Sequence, residues 1–228
     1  MKEIIKQFKE LASSRDLWQV YKDFLELSAI AYSNICDKAQ AKEREERYLD
    51  IIKSYKPEQV GQVAMILALI VMEMEKEPQD ILGRIFMELD LGSKWTGQVF
   101  TPQNLADMLA ELSFKEDEIK ERGYITVMEP AVGGGVTIIG LVKAMLKKGY
   151  NPQKQLLVVC GDIDIKAVHM TYIQLSMLGI PAVVRHQDTL TQETMSTWYT
   201  PNYILDLWRF KKWLKLINLI WRWWQGEH

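Results

Sequence analysis

From residue 124 onward the chain alternates two kinds of segment, and that alternation restricts its fold more than any other feature. YITVMEP (124–130), QLLVVCGDID (155–164) and PAVVRHQD (181–188) are short and rich in β-branched residues, as strands are. Between them, GVTIIGLVKAMLKKG and IKAVHMTYIQLSMLG place apolar residues at the helical period, and each ends at a glycine suited to a C-cap. Strands joined through helices lie parallel, connected by right-handed crossovers. The expectation is an α/β domain on an open parallel sheet.

Upstream, the first ninety or so residues read as helices. In RDLWQVYKDFLELSAIAYSNI, Leu17, Val20, Tyr21, Phe24, Leu27 and Ala31 recur at steps of three and four, and Asp16 is placed to cap the start. AKEREERYLDIIKSY is a charged second helix. KPEQVGQVAMILALIVMEMEKEP is apolar on almost every side, which predicts a helix at the centre of a bundle with its methionines in the core. DILGRIFMELDL leads into the loop GSKWTGQVFTP, where Trp95 either shields a ligand or packs, and QNLADMLAEL is a further helix.

Charge and cysteine usage exclude several classes. At 228 residues and 48% hydrophobic content the chain can bury a core, and a net charge of −2 provides no global basic field, so any nucleic-acid contact is local. Cys36 and Cys160 lack CxxC or Cys/His spacing, so neither a zinc site nor a disulfide framework is expected. His169 and His186 read as a helix-surface and a strand residue without a partner spacing for metal or catalysis. No apolar run approaches 18 residues and no leader is evident, so no transmembrane segment is expected and a cytoplasmic location is the default.

In a parallel sheet, ligands bind at the carboxyl ends of the strands, and the first strand-to-helix turn is the usual cradle. Here that turn is EPAVGGGVT. A phosphate-binding loop needs Lys and then Ser or Thr after its last glycine; Gly135 and Gly140 have the outer spacing, but Leu141 and Val142 follow. A dinucleotide fingerprint needs a third glycine where Ile138 stands. What remains is an acid and a proline before a G-x-G turn, with Asp162 and Asp164 at the tip of the second strand and Asp188 at the tip of the third. A carboxylate at a strand end can accept both hydroxyl protons of a ribose. Three of them would surround a nucleoside.

GQVFTP, EPAVGGG, GDID followed by YIQLSMLGI, and QDTL together resemble the adenine-N6 DNA methyltransferases, specifically the modification subunits of type I restriction systems and their mobile-element relatives. The resemblance covers roughly residues 80–203. It implies the Rossmann-like fold of S-adenosylmethionine-dependent methyltransferases with a partial parallel sheet, S-adenosylmethionine or S-adenosylhomocysteine as ligand, and DNA as partner. It further implies that Phe100, Thr101 and Pro102 contact the methionine part and that Glu129, Ala131, Gly133 and Gly135 form the turn beneath it. Asp162 would take the ribose, Ile163 would lie against the adenine, and Asp188 would accept the adenine amino group.

The same family carries Asn or Asp, two prolines and an aromatic at the tip of the fourth strand, which hold and stack the flipped adenine. No such tetrapeptide occurs in this sequence; the nearest segment is TPNY, with Thr200, Pro201 and Tyr203 as a degenerate catalytic set or else as a turn into the last helix. Within the 228 residues, the remaining strands of a full methyltransferase sheet and a target-recognition domain are not expected. Residues 204–228 hold five of the eight tryptophans, with Phe210, Leu214, Ile217, Trp221 and Trp224 on one helical stripe and Lys211, Lys215, Asn218 and Arg222 opposite. This predicts an amphipathic helix that covers the sheet edge and helices in cis, docks on a partner chain or second copy, or lies on a membrane surface, with the first two favoured. The expected division is a helical region over 1–92, a cofactor domain over 93–203 and the tail over 204–228. Two functions follow: a cofactor-binding protein with a regulatory or anti-restriction role, favoured by the missing tetrapeptide, or an adenine-N6 DNA methyltransferase completed by a second subunit.

Overall fold

The three β-branched runs form strands. β1 (Ile125–Glu129), β2 (Leu156–Asp162) and β3 (Ala182–Gln187) lie side by side and parallel in the computed structural model, which describes residues 1–92, 101–206 and 208. Glu129 pairs with Cys160 and Asp162 with His186, so the carboxyl ends of the strands lie close to one level. The helices α8 (Val136–Lys147) and α10 (Ile165–Met177) make the crossovers. β2 has apolar residues on both faces because helices cover both sides of the sheet. Before β1, α6 (Gln103–Ser113) and α7 (Glu116–Arg122) lead into the sheet, and α9 (Pro152–Gln155) precedes β2. α6 crosses α8 so closely that a Cβ on Gly140 would lie 2.8 Å from the Ala106 carbonyl oxygen.

β4 (Thr194–Tyr199) departs from the parallel expectation and runs antiparallel to β3. The reason is the connection, residues 188–193. The Asp188 amide donates to the Glu193 carbonyl at 2.9 Å, and its carboxylate accepts from the Leu190 amide at 2.8 Å, closing a tight aspartate turn. So short a link cannot carry the chain back to the far end of the sheet, as a parallel neighbour requires. The sheet order is β1-β2-β3-β4. Consequently β4 finishes at the amino-terminal end of its neighbours, where Tyr199 pairs with Val183.

The helices of the first part are α1 (Lys2–Leu11), α2 (Leu17–Cys36), α3 (Ala41–Ile52), α4 (Pro57–Met74) and α5 (Ile81–Glu88). α2, with Asp16 at its N-cap, is the central one: Val20, Tyr21, Phe24, Leu25, Ala29 and Ile30 are buried among α1, α3 and α10. The expected central helix, α4, is peripheral. It buries Ile66, Ile70 and Met74 and leaves Met65 and Met72 exposed, because α1 and α5 pack against one side of it. By length and composition α4 is also the one helix among the described residues that is long and apolar enough to cross a membrane.

A continuous core runs from Ile4 through α2 and α5 to Trp198 of β4. Arg44 of α3 fastens the helices to the sheet. Its guanidinium lies 3.2 Å from Asp37, donates to the Thr197 carbonyl at 3.0 Å and stacks 3.8 Å from the centre of the Trp198 ring. His169, expected on a helix surface, is instead buried edge-on against Trp198 at 4.8 Å, because α2 covers that face of α10. Burial lowers its imidazole to about 4. The chain continues through α11 (Pro201–Leu205) to Trp208; the tail beyond it, like Trp95 and Phe100, lies outside the described residues.

Candidate functional site

The turn between β1 and α8 is held from below. Gly133 and Gly135 have φ of 55° and 93°, a region that glycine enters without strain. The Thr171 hydroxyl of α10 donates to the Gly133 carbonyl at 2.8 Å, and the Gln174 amide donates to the Gly134 carbonyl at 2.6 Å. At the other end, the Val132 amide donates to the Gly161 carbonyl at 3.0 Å and Glu129 accepts from the Ala131 amide at 3.1 Å. A Cβ on Gly133 would meet nothing within 4 Å, so the conformation requires glycine while the space above it is open. An open cradle of this kind lets a ligand approach the backbone.

Asp162 stands beside the turn, only 7% exposed. One carboxylate oxygen accepts from the Gly133 amide and the other from the Asp164 amide, each at 2.9 Å. Each oxygen keeps a second lone pair, so the pair can still take two ligand hydroxyl protons. Asp164, its neighbour in GDID, is a helix cap that accepts from the Lys166 amide at 2.9 Å and the Lys166 ammonium at 2.7 Å. The structure thus separates two acids that the sequence offered together. Ile163 is 64% exposed at the strand tip, held through its carbonyl by the His186 ring at 3.1 Å. An apolar side chain presented beside a diol acceptor suits the face of a base.

Asp188 closes the β3–β4 turn through its own carboxylate, and the next residue, Thr189, donates to the Pro130 carbonyl at 2.6 Å. That bond draws the β3 tip against the β1 turn. Thr101 and Pro102 border a cleft of about 320 Å³ together with Asp80, Arg84, Gln103 and Val136, the first residue of α8. Glu129, Ala131, Gly133, Gly135, Asp162, Ile163, Asp188, Thr101 and Pro102 therefore gather at one end of the sheet.

Thr200, Pro201 and Tyr203 do not join them. The Thr200 hydroxyl is buried, accepting from the Ala182 amide at 2.8 Å and donating to the Ile180 carbonyl at 2.7 Å, at the opposite end of β3. Tyr203 stacks on Tyr199 there, with ring centres 5.4 Å apart. The antiparallel course of β4 is the cause. TPNY is a turn into α11 with Thr200 at the N-cap position, its hydroxyl spent on the backbone at the start of β3 rather than on the helix, so the structure does not bring Thr200, Pro201 and Tyr203 to the glycine turn.

Sequence reasoning missed the supporting layer. Gln174 is fully buried, donates to Asp80 at 2.9 Å and accepts from the Leu82 amide at 3.1 Å, so it ties α5 to the glycine turn. Asp80 in turn accepts from the Gly83 amide at 2.9 Å, and burial raises its carboxyl above the usual range. The available signal was a glutamine set among apolar residues in YIQLSM, which a polar core position produces.

No curated protein matches the chain. Among solved structures, a protein of Listeria monocytogenes described as a class I S-adenosylmethionine-dependent methyltransferase is similar at 16% identity and a TM-score of 0.41, over 83% of this chain and 53% of that one. The chain thus spans about half the length of that relative. The family model described as N-6 DNA methylase matches residues 78–211, which include the turn, its acids and the Gln174 clamp. With more than half of its length matched, the chain belongs to the N-6 DNA methylase family, whose cofactor is S-adenosylmethionine.

Proposed function

We propose that the chain holds S-adenosylmethionine, or its demethylated product, over the β1–α8 turn and works by association, without transferring the methyl group on its own. The observation that carries this reading is the antiparallel β4, which sets Thr200 and Tyr203 at the far end of the sheet from Gly133. The residues around the turn fit the cofactor. Gly133 leaves open backbone, Asp162 offers two acceptor positions for a ribose, and Ile163 offers an apolar face for the adenine. Asp188 would accept the adenine amino group, and Thr101 and Pro102 would border the methionine part.

Bound there, the cofactor supplies an electrophilic methyl group. Using it on adenine requires groups that hold and orient the target amine, and misplacing such groups removes orders of magnitude in rate. A chain that keeps the cradle without that holder suits a regulatory or anti-restriction role among modification subunits or on their DNA. Calorimetry with S-adenosylmethionine should show binding, and Asp162→Ala should weaken it by roughly 1–3 kcal/mol, the cost of stranding hydroxyl donors. The purified chain should transfer no labelled methyl group to unmethylated DNA. Absence of binding at millimolar cofactor would remove the cradle assignment; label transfer by the chain alone would make it a methyltransferase.

A further inference from the structure

The cleft of about 320 Å³ beside the glycine turn has a wall that the ribose and adenine contacts leave unused. Thr101 and Pro102 lie on one side of it, Arg84 and Glu88 of α5 on the other, and Val136 borders it at the start of α8. A bond from the Asp80 amide to the Gln103 side-chain oxygen, 3.0 Å long, ties the two sides together. The turn separates this cleft from Asp162: the Gly133 amide donates to that carboxylate, whereas Val136, three residues later, meets the cleft. A ligand whose ribose sits at Asp162 and which extends across the turn therefore reaches the cleft.

The charges there match an amino acid. Arg84 is exposed, and one guanidinium nitrogen donates to the Gln79 side-chain oxygen. Gln79 is 7% exposed and donates to the Glu73 carbonyl at 3.2 Å, so this anchor is itself fixed. A guanidinium carries five N–H donors in a planar fork, which leaves it able to take a carboxylate in two parallel bonds. The nearby Asp80 carboxylate is buried and accepts from the Gly83 amide and Gln174. Glu88 stands one turn beyond Arg84 on α5, roughly 6 Å away, and sets an acid beside the base. α8, with Gly135 at its N-cap, adds the positive end of its dipole at Val136. A basic fork, an acid and a helix start around one cleft suit a zwitterion with its carboxylate toward Arg84.

We infer that Arg84 takes the α-carboxylate of the bound S-adenosylmethionine and so sets the preference for ligands that carry an intact amino-acid end. The inference rests on the cofactor reading of the glycine turn and adds to it a residue that discriminates among adenosine derivatives.

Calorimetry on the full chain with three probes tests this: S-adenosylmethionine, its decarboxylated form, which keeps the ammonium, and 5′-methylthioadenosine, which lacks the amino-acid end. The wild type should bind the first about tenfold more tightly than the second. Arg84→Gln should weaken S-adenosylmethionine about tenfold and leave the other two unchanged. An equal loss for all three probes would give Arg84 a structural role and overturn the inference. It would also be overturned if Arg84→Gln bound S-adenosylmethionine as the wild type does, or if the wild type did not distinguish the decarboxylated form; in both cases binding of 5′-methylthioadenosine would leave the cradle itself standing. No binding of any probe to the wild type would remove the cofactor reading, and this inference with it.

Discussion

Gln174 shows how one side chain sets the geometry of the cradle. Its amide spans the Gly134 carbonyl, the Asp80 carboxylate and the Leu82 amide, all buried. Gln174→Leu strands the Gly134 carbonyl and the Leu82 amide and leaves Asp80 with the Gly83 amide alone. Each stranded buried group costs about 1–3 kcal/mol, so the loss should be roughly 2 kcal/mol or more, read by urea denaturation. Cofactor affinity should fall with it, because the turn loses its lower support. Asp80 behaves differently. Both its hydrogen bonds reach the same carboxylate oxygen, which an asparagine retains. Its folded carboxyl is raised by burial, so its stabilising contribution is present when protonated and lost as pH rises through the folded value. Asp80→Asn should therefore match or exceed the wild type at pH 7, with the difference closing in acid.

Among elements, α3 and β4 depend on each other. Neither has a deep apolar face: α3 buries Arg44 and Ile51, and β4 buries Trp198. What joins them is the Arg44 guanidinium, which fills the space between Asp37, the Ser33 hydroxyl, the Thr197 carbonyl and the Trp198 ring. Removing one partner of a buried ion pair leaves the other charge uncompensated, so Arg44→Ala should cost roughly 3 kcal/mol. Arg44→Lys keeps the charge but loses the planar fork and the ring stacking, and should recover only part of it. Thermal denaturation of the three proteins orders them. If lysine proved equivalent to arginine, charge alone would explain the joint.

For the whole molecule, the interface between the helical region and the sheet is acid-sensitive. His169 lies within it, held to about 4 by burial, whereas a free imidazole titrates near 6.5. Between those values the unfolded chain binds a proton that the folded chain does not. Stability is therefore complete above about pH 6.5 and declines as pH falls toward 4, by up to about 3 kcal/mol. His169→Phe keeps an aromatic edge against Trp198 and should flatten that decline. Chemical denaturation of both proteins at a series of pH values measures it.

The parallel strands, their crossover helices and the glycine turn were legible because each is written locally. β-branched runs, a helical period and left-handed glycines act over a few residues, and Gly149 and Gly179 do end their segments with positive φ. The acids at the strand tips could be located for the same reason. The residues alone offered Asp162 and Asp164 together, and only the family resemblance chose Asp162, because the capping of Lys166 by Asp164 and the clamp of Asp162 on Gly133 depend on how close two elements come. The course of β4 was equally hidden. TMSTWY is too polar to announce a strand, and its direction follows from the short Asp188 turn rather than from its own residues. The place of α4 shows the same limit: an apolar helix must be covered somewhere, but whether it is surrounded or lies at the margin depends on what packs against it. Local chemistry selects the elements; long-range packing decides which of their side chains face a ligand, the core or the opposite end of the sheet.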